Sequence, residues 1–223
     1  MIMTFLKTAI FSILLVSAGL TQAQNLISNG SFEDGVFVNN YPEPGIMLVG
    51  SGSKAISDWT VVGPAGSFIA SINEKNTAFP ALYGNRFLDV TGTAYNPIGQ
   101  GVLQTIDTVA GMQYTLGFDI GNSTLPNFGA TSSLLASAGG SSQTFMHTGN
   151  DGINSWRHFS LDFVATGSKT DISLLSQGGG HHIGLDNVSV MAAVPEPQTY
   201  AMLLGGLGLI GFSLFRRKTN NRC

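Results

Sequence analysis

QYTLGFDI, residues Gln113 to Ile120, decides the fold class. Tyr114, Leu116, Phe118 and Ile120 fall on one side of this run and Gln113, Thr115, Gly117 and Asp119 on the other. A period of two is that of a strand with one buried face. HFSLDFVA, His158 to Ala165, repeats the pattern, with Phe159, Leu161, Phe163 and Ala165 inward against Ser160, Asp162 and Val164. Weaker strands are expected at Asn25 to Phe32, Trp59 to Val62, Phe87 to Val90, Gly101 to Thr108, Thr170 to Leu175 and His182 to Met191. No stretch between the termini spaces apolar residues helically over three turns. Short strands separated by Gly, Pro, Asn and Ser predict an all-β chain folded as an antiparallel sandwich.

The two ends of the chain read differently. MIMTFLKTAIFSILLVSAGLTQAQ opens with one cation, Lys7, an apolar stretch from Thr8 to Leu20, and the small residues Thr21 and Ala23 at the −3 and −1 positions of a cleavage site. Residues 1–23 are therefore expected to be a signal peptide, the apolar run being shorter than the ~20 residues of a spanning anchor. The single cysteine, Cys223, is the last residue. The exported body then holds no thiol, and its stability must come from packing, hydrogen bonds or a metal.

At the other end stands VPEPQTYAMLLGGLGLIGFSLFRRK, Val194 to Lys218. The uncharged run from Thr199 to Phe215 would reach about 25 Å as a helix, slightly short of a ~30 Å hydrocarbon core. Arg216, Arg217 and Lys218 would hold its end on the cytoplasmic side. Gly206, Gly208 and Gly211 spell a dinucleotide-binding pattern, but neither the preceding strand nor the later acid that such a site needs is available. Pro195-Glu196-Pro197, the short apolar helix and the basic cluster, in that order, resemble the PEP-CTERM sorting signal of Gram-negative bacteria. That resemblance implies export through the inner membrane and recognition by an exosortase. A transient membrane stop and delivery to the envelope or extracellular matrix would follow. A permanent anchor is the alternative, and it gives the same topology before processing.

Between these ends, Gln24 to Val194 carries five cations against twelve acids, a formal charge of −7. Such a body argues against nucleic acid or anionic lipid as partner. Its sequence blocks NLISNGSFEDG (25–35), ISDWTVVG (56–63), GNRFLDVTG (84–92), GVLQTIDTVAGMQYTLGFDIGN (101–122), SWRHFSLDFVATG (155–167) and IGLDNVSV (183–190) resemble, in order, the galactose-binding-like jelly rolls of the DUF642 and choice-of-anchor C group. The resemblance implies a jelly-roll domain over residues 24–193, followed by a sorting segment over 194–223, and an association with polysaccharide.

It also implies a structural calcium, for which the matching acids are Glu33, Asp34 and Asp186, since calcium takes several hard oxygens. The apolar phase changes around Asp186, from odd-numbered Ile183 and Leu185 to even-numbered Val188 and Val190. A β-bulge would produce that change and re-aim a carboxylate; an ordinary turn at Asp186 and Asn187 is the alternative. Trp59 and Trp156, the only tryptophans, are candidate platforms for a sugar ring, with Arg86, Tyr83 and Tyr95 as possible polar neighbours. His181 and His182, after three glycines, could grip a transition metal only if His147 or an acid came near, because adjacent side chains on a strand diverge. No nucleophile or metalloprotease motif is present, and no spacing selects a carboxylate pair for glycoside hydrolysis. The expected function is thus a non-catalytic exported protein that binds or organises polysaccharide. A matrix or adhesion protein with protein partners, or a secreted hydrolase, are the alternatives.

Overall fold

The structure is a computed structural model, which describes residues 24–94, 96–123, 125–126, 128–129, 131–149, 155–193, 203 and 205–210. Among them run eleven strands: β1 (Ile46–Gly50), β2 (Thr60–Val62), β3 (Phe68–Asn73), β4 (Arg86–Asp89), β5 (Ile98–Asp107), β6 (Gln113–Asn122), β7 (Thr131–Ala138), β8 (Ser141–Thr148), β9 (Ser155–Val164), β10 (Lys169–Gln177) and β11 (Gly184–Ala192). They form two antiparallel sheets, one of six strands in the order β1-β3-β4-β11-β6-β9 and one of five in the order β2-β5-β10-β7-β8. Strands adjacent in sequence often lie in different sheets, as β5 and β6 do. The body is the antiparallel sandwich that the alternating runs predict, in the jelly-roll form that the resemblance implies.

The core is where the inward faces meet. Met47, Val49, Ile69, Leu88, Leu116, Phe118, Ile120, Leu161, Phe163 and Val190 come from the six-stranded sheet. Val61, Val102, Ile106, Leu134, Ala136, Phe145, Ile172 and Leu174 come from the other. Burying each large side chain is worth about 1.5–3 kcal/mol, and these side chains carry most of the stability in a chain without disulfides.

The expected strand at Asn25 to Phe32 is not formed. Asn29 and Phe32 have φ of 51° and 59°, left-handed values that break an extended ladder. The segment nevertheless seals one end of the core. Leu26 N–H donates to the Val190 carbonyl at 2.9 Å, and the Gln104 amide bonds both the N–H and the carbonyl of Ser28. Asn29 acts as a staple: its Nδ2 donates to the carbonyls of Asp34 and Ser57, and its Oδ1 accepts from Asp34 N–H.

The phase change at Asp186 is a bulge. Asp186 pairs with Asp119 and Ser189 with Gly117, so β11 spends one residue more than β6 between the two pairs, and Asn187 takes φ 52°. Register also defines the outer face of the six-stranded sheet. One transverse row runs Trp156, Gly121, Gly184, Asp89, Ala70, Leu48, and beside it Phe87, Ile72 and Ile46 share a second.

Residues 203 and 205–210 are helical and exposed. Among the described residues no helix is long and apolar enough to cross a membrane. The signal peptide, Pro195, Glu196, Pro197, Arg216, Arg217, Lys218 and most of the expected 199–215 helix lie outside the described residues.

Candidate functional site

Most sandwiches leave the outer side of a sheet to water, but here it carries a second apolar layer. Ala70, Ile72 and Phe87 are buried on that face, under Phe79 and Ala81. Phe79 and Ala81 belong to residues 74–85, the strap that joins β3 to β4. An Asx turn starts the strap, Asn73 Oδ1 accepting from Lys75 N–H at 3.1 Å. Two carboxylates fix its far half. Asp186 Oδ2 accepts from the N–H groups of Leu82 (3.2 Å) and Tyr83 (3.0 Å), and Glu33 Oε1 from those of Asn85 and Arg86, both at 2.8 Å. Gly84 is required between them: it has φ 64°, and a Cβ there would lie 2.3 Å from Glu33 Oε1. Asp186 is fully buried. Burial pushes its carboxyl up to about 7, against the pull of the Tyr83, Asn187 and Leu82 amides and with a smaller push from the Glu33 charge.

Beside the strap opens a cavity of about 320 Å³, a volume in the range of small-ligand sites. Ile46, Ala70 and Ile72 make an apolar floor, and Tyr41, Phe79 and Phe128 supply aromatic walls. Glu43, Asn76, Asp89, Thr93 and His181 place polar groups among them. The walls brace one another, Phe79 packing on Phe128 at 5.3 Å and stacking on the buried His182 ring at 4.6 Å. Asp89 is held from behind. Its Oδ1 accepts from Thr91 N–H, Thr91 Oγ1 and Ile183 N–H, and its Oδ2 lies 3.1 Å from His182 Nδ1. An apolar floor with aromatic walls and a few fixed acceptors suits a ligand with apolar faces and hydroxyl edges.

The expected site residues fall in three groups. Trp59 is corrected to a core residue: it is 1% exposed, packs on Phe32 at 5.4 Å, and donates its Nε1–H to the Asn29 carbonyl at 2.9 Å. With both faces covered it cannot stack on a sugar. Arg86 lies off the cavity, its guanidinium over the Phe37 ring at 5.1 Å and donating to the Gly35 carbonyl. Trp156 alone stays on the outer face, half-buried and edge-on to Phe87 at 5.4 Å. Tyr83 is exposed and lies off the cavity; Tyr95 is outside the described residues.

Of the three acids expected around a calcium, Glu33 and Asp186 lie near each other, the Glu33 charge adding to the upward push on the Asp186 carboxyl. Glu33 and Asp186 point at backbone N–H donors of the strap, and Asp34 is exposed, its backbone held by Asn29. His147 is removed from any metal trio. Its Nε2 lies 2.9 Å from the Ser155 carbonyl, and burial lowers its pKa, the Ser155 carbonyl opposing and Arg157 adding a little. Among the described residues no three His, Cys, Asp or Glu are placed to hold a metal.

Sequence reasoning missed Tyr41, Phe79 and Phe128, since all three sit in loops outside the alternating runs. One signal was present: Pro42 and Pro80 directly follow Tyr41 and Phe79, and Pro126 precedes Phe128 by two, marking stiff aromatic loops.

Residues 25–187 match the family described as Protein of unknown function (DUF642). The chain belongs to the DUF642 family. Residues 193–218 match the PEP-CTERM protein-sorting motif, directly after the DUF642 body. No curated protein matches the chain. Among solved structures the DUF642 chain is similar to TmCBM61 in complex with beta-1,4-galactotriose, at 16% identity and TM-score 0.47 over 76% of this chain and 99% of that one. It is also similar to the CBM22-1 xylan-binding domain from Paenibacillus barcinonensis Xyn10C, at 16% identity and TM-score 0.45 over 78% and 97%. A third likeness is to Family 16 Carbohydrate Binding Module-2, at 14% identity and TM-score 0.41 over 74% and 99%. All three are distant.

Proposed function

We propose that this protein is exported, sorted to the cell envelope or matrix by an exosortase acting on its PEP-CTERM tail, and binds polysaccharide without cleaving it. The observation that carries the binding is the cavity beside the strap, where three aromatic walls and an apolar floor surround fixed hydrogen-bonding groups. The apolar faces of a pyranose match the former and its hydroxyls the latter. Binding is favoured over hydrolysis because Asp89 already accepts from three donors and faces His182. Glu43 is the other carboxylate in the lining, and hydrolysis needs two carboxyl groups at work. The membrane is a partner through the tail before processing, and nucleic acid is not a partner for a body of charge −7.

Titration of the full chain with polysaccharide extracted from the producing cells, by calorimetry and affinity electrophoresis, tests this reading. Saturable binding that Phe128→Ala weakens about ten-fold supports it, the equivalent of about 1.4 kcal/mol. Binding indifferent to Phe128 and Glu43, or no binding, refutes it. Added calcium is expected to change the affinity less than two-fold, because the Glu33 and Asp186 oxygens already serve the strap.

A further inference from the structure

Trp156 sits at the start of β9 and extends its ring inward over the six-stranded sheet. A Cβ on Gly121 or on Gly184 would come within 2.9 Å of its Cη2 atom. Those two glycines are paired across β6 and β11, and Gly121 pairs with Trp156 itself. Two adjacent strands thus give up side chains at one spot, and the indole lies flat there against bare backbone. Its Nε1–H is buried with no acceptor among the described residues, a donor that packing alone leaves unsatisfied.

The next row holds a polar cluster. Asp119 Oδ2 accepts from Asn187 Nδ2 at 2.7 Å, and Asp119 Oδ1 lies 3.2 Å from His158 Nδ1. Asn187 reaches Asp119 because the bulge turns it, at φ 52°. Asp119 is itself buried while the His158 side chain is 59% exposed, so the cluster offers its imidazole to solvent and turns Nε2 away from the carboxylate. No lysine or arginine takes part. The group is an aromatic plate beside a fixed acceptor and a ring nitrogen, which is the chemistry of a neutral sugar residue.

We propose that Trp156, with Asp119, His158 and Asn187, forms a second sugar subsite on the β9 side of the outer face, so that a neutral glycan chain spans from it to the cavity on the β1 side. This rests on the polysaccharide reading above and deepens it. The indole covers β6 and β11 while the cavity floor is on β1 and β3. They lie two to four strand spacings apart, about 10–19 Å, too far for one pyranose. The affinity therefore depends on chain length.

The two tryptophans make the test direct, because Trp59 is sealed in the core and only Trp156 can report a ligand. The full chain, kept in a detergent without a sugar headgroup, is titrated with β-1,4-linked gluco-, galacto- and xylo-oligosaccharides of two to six residues and with the extracted polysaccharide. Tryptophan emission and calorimetry are read together. The expected result is binding at least ten-fold tighter for hexamer than for dimer, with a change in emission. Trp156→Ala should abolish the emission change and the length dependence, leaving dimer affinity within two-fold. Gly184→Ala keeps the indole but displaces it, and should also weaken the hexamer selectively; unchanged far-ultraviolet circular dichroism and cooperative melting verify that each variant folds. A hexamer bound no tighter than the dimer, or undiminished by Trp156→Ala, overturns the second subsite while the cavity reading stands. Absence of binding to every oligosaccharide and to the extracted polysaccharide overturns both.

Discussion

The two sheets turn very different outer faces to their surroundings. On the five-stranded sheet, Thr105, Ser173, Ser137, Ser142, Thr144 and Met146 face outward with Leu135 and Leu175, and on β8 this face is open to solvent. On the six-stranded sheet the corresponding face buries Ala70, Ile72 and Phe87, and it encloses the carboxylates Asp89, Asp119 and Asp186. A face that only needed to be soluble would resemble the first. The second has been given a strap, a cavity and buried polar groups that are costly unless each is hydrogen-bonded. Function is therefore assigned to the second.

The contrast is sharpest in stability. Phe87→Ala should cost about 3–5 kcal/mol in urea unfolding, because it empties the layer beneath the strap. Leu175→Ala on the open face should cost about 1 kcal/mol or less. Similar losses at the two positions would erase the distinction.

A second effect is on pH. Asp186 has its folded-state carboxyl raised from 3.8 to about 7, so between those values the native state binds more protons than the unfolded chain. Stability should be greatest at the acid end of that window and fall as pH rises toward 7, with a slope of at most about 1.4 kcal/mol per pH unit. Asp186→Asn should remove that slope, as read by denaturant midpoints from pH 4 to 8. A wild-type chain that gains stability across the same window would show that the three amide donors outweigh burial.

Smaller effects complete the series. Phe128→Ala should weaken glycan binding about ten-fold while shifting the melting temperature little, since Phe128 is a loop residue at the cavity wall. Ser142→Ala and Thr144→Ala on the open face should change stability by less than about 0.5 kcal/mol and leave binding untouched.

Which parts of this contrast could be read in the sequence depends on how many faces of a strand are covered. β6 and β9 alternate in their first and last residues respectively, because there one face meets the core and the other meets water. β3, FIASIN, gives no such signal: Ile69 and Ser71 are buried on one side, and Ala70 and Ile72 on the other beneath the strap. β7, TSSLLASA, is obscured by serines on both faces. The bulge at Asp186 was legible as a shift of apolar phase, since each extra residue in a strand moves every later side chain to the opposite face. The cavity was not, because Tyr41, Ile72, Phe79, Asp89, Phe128 and His181 meet only through strand order. Trp59 and Trp156 look alike in sequence, and only packing separates a sealed core ring from a plate on bare backbone.

Hydrogen–deuterium exchange of the full chain, with and without saturating polysaccharide, tests the central assignment most directly. Slowed exchange at residues 41–46, the strap at 74–85, the segment around Phe128 and β9 beside Trp156 is the expected outcome. Protection appearing instead along β7 and β8 would place the ligand on the open face and contradict the account.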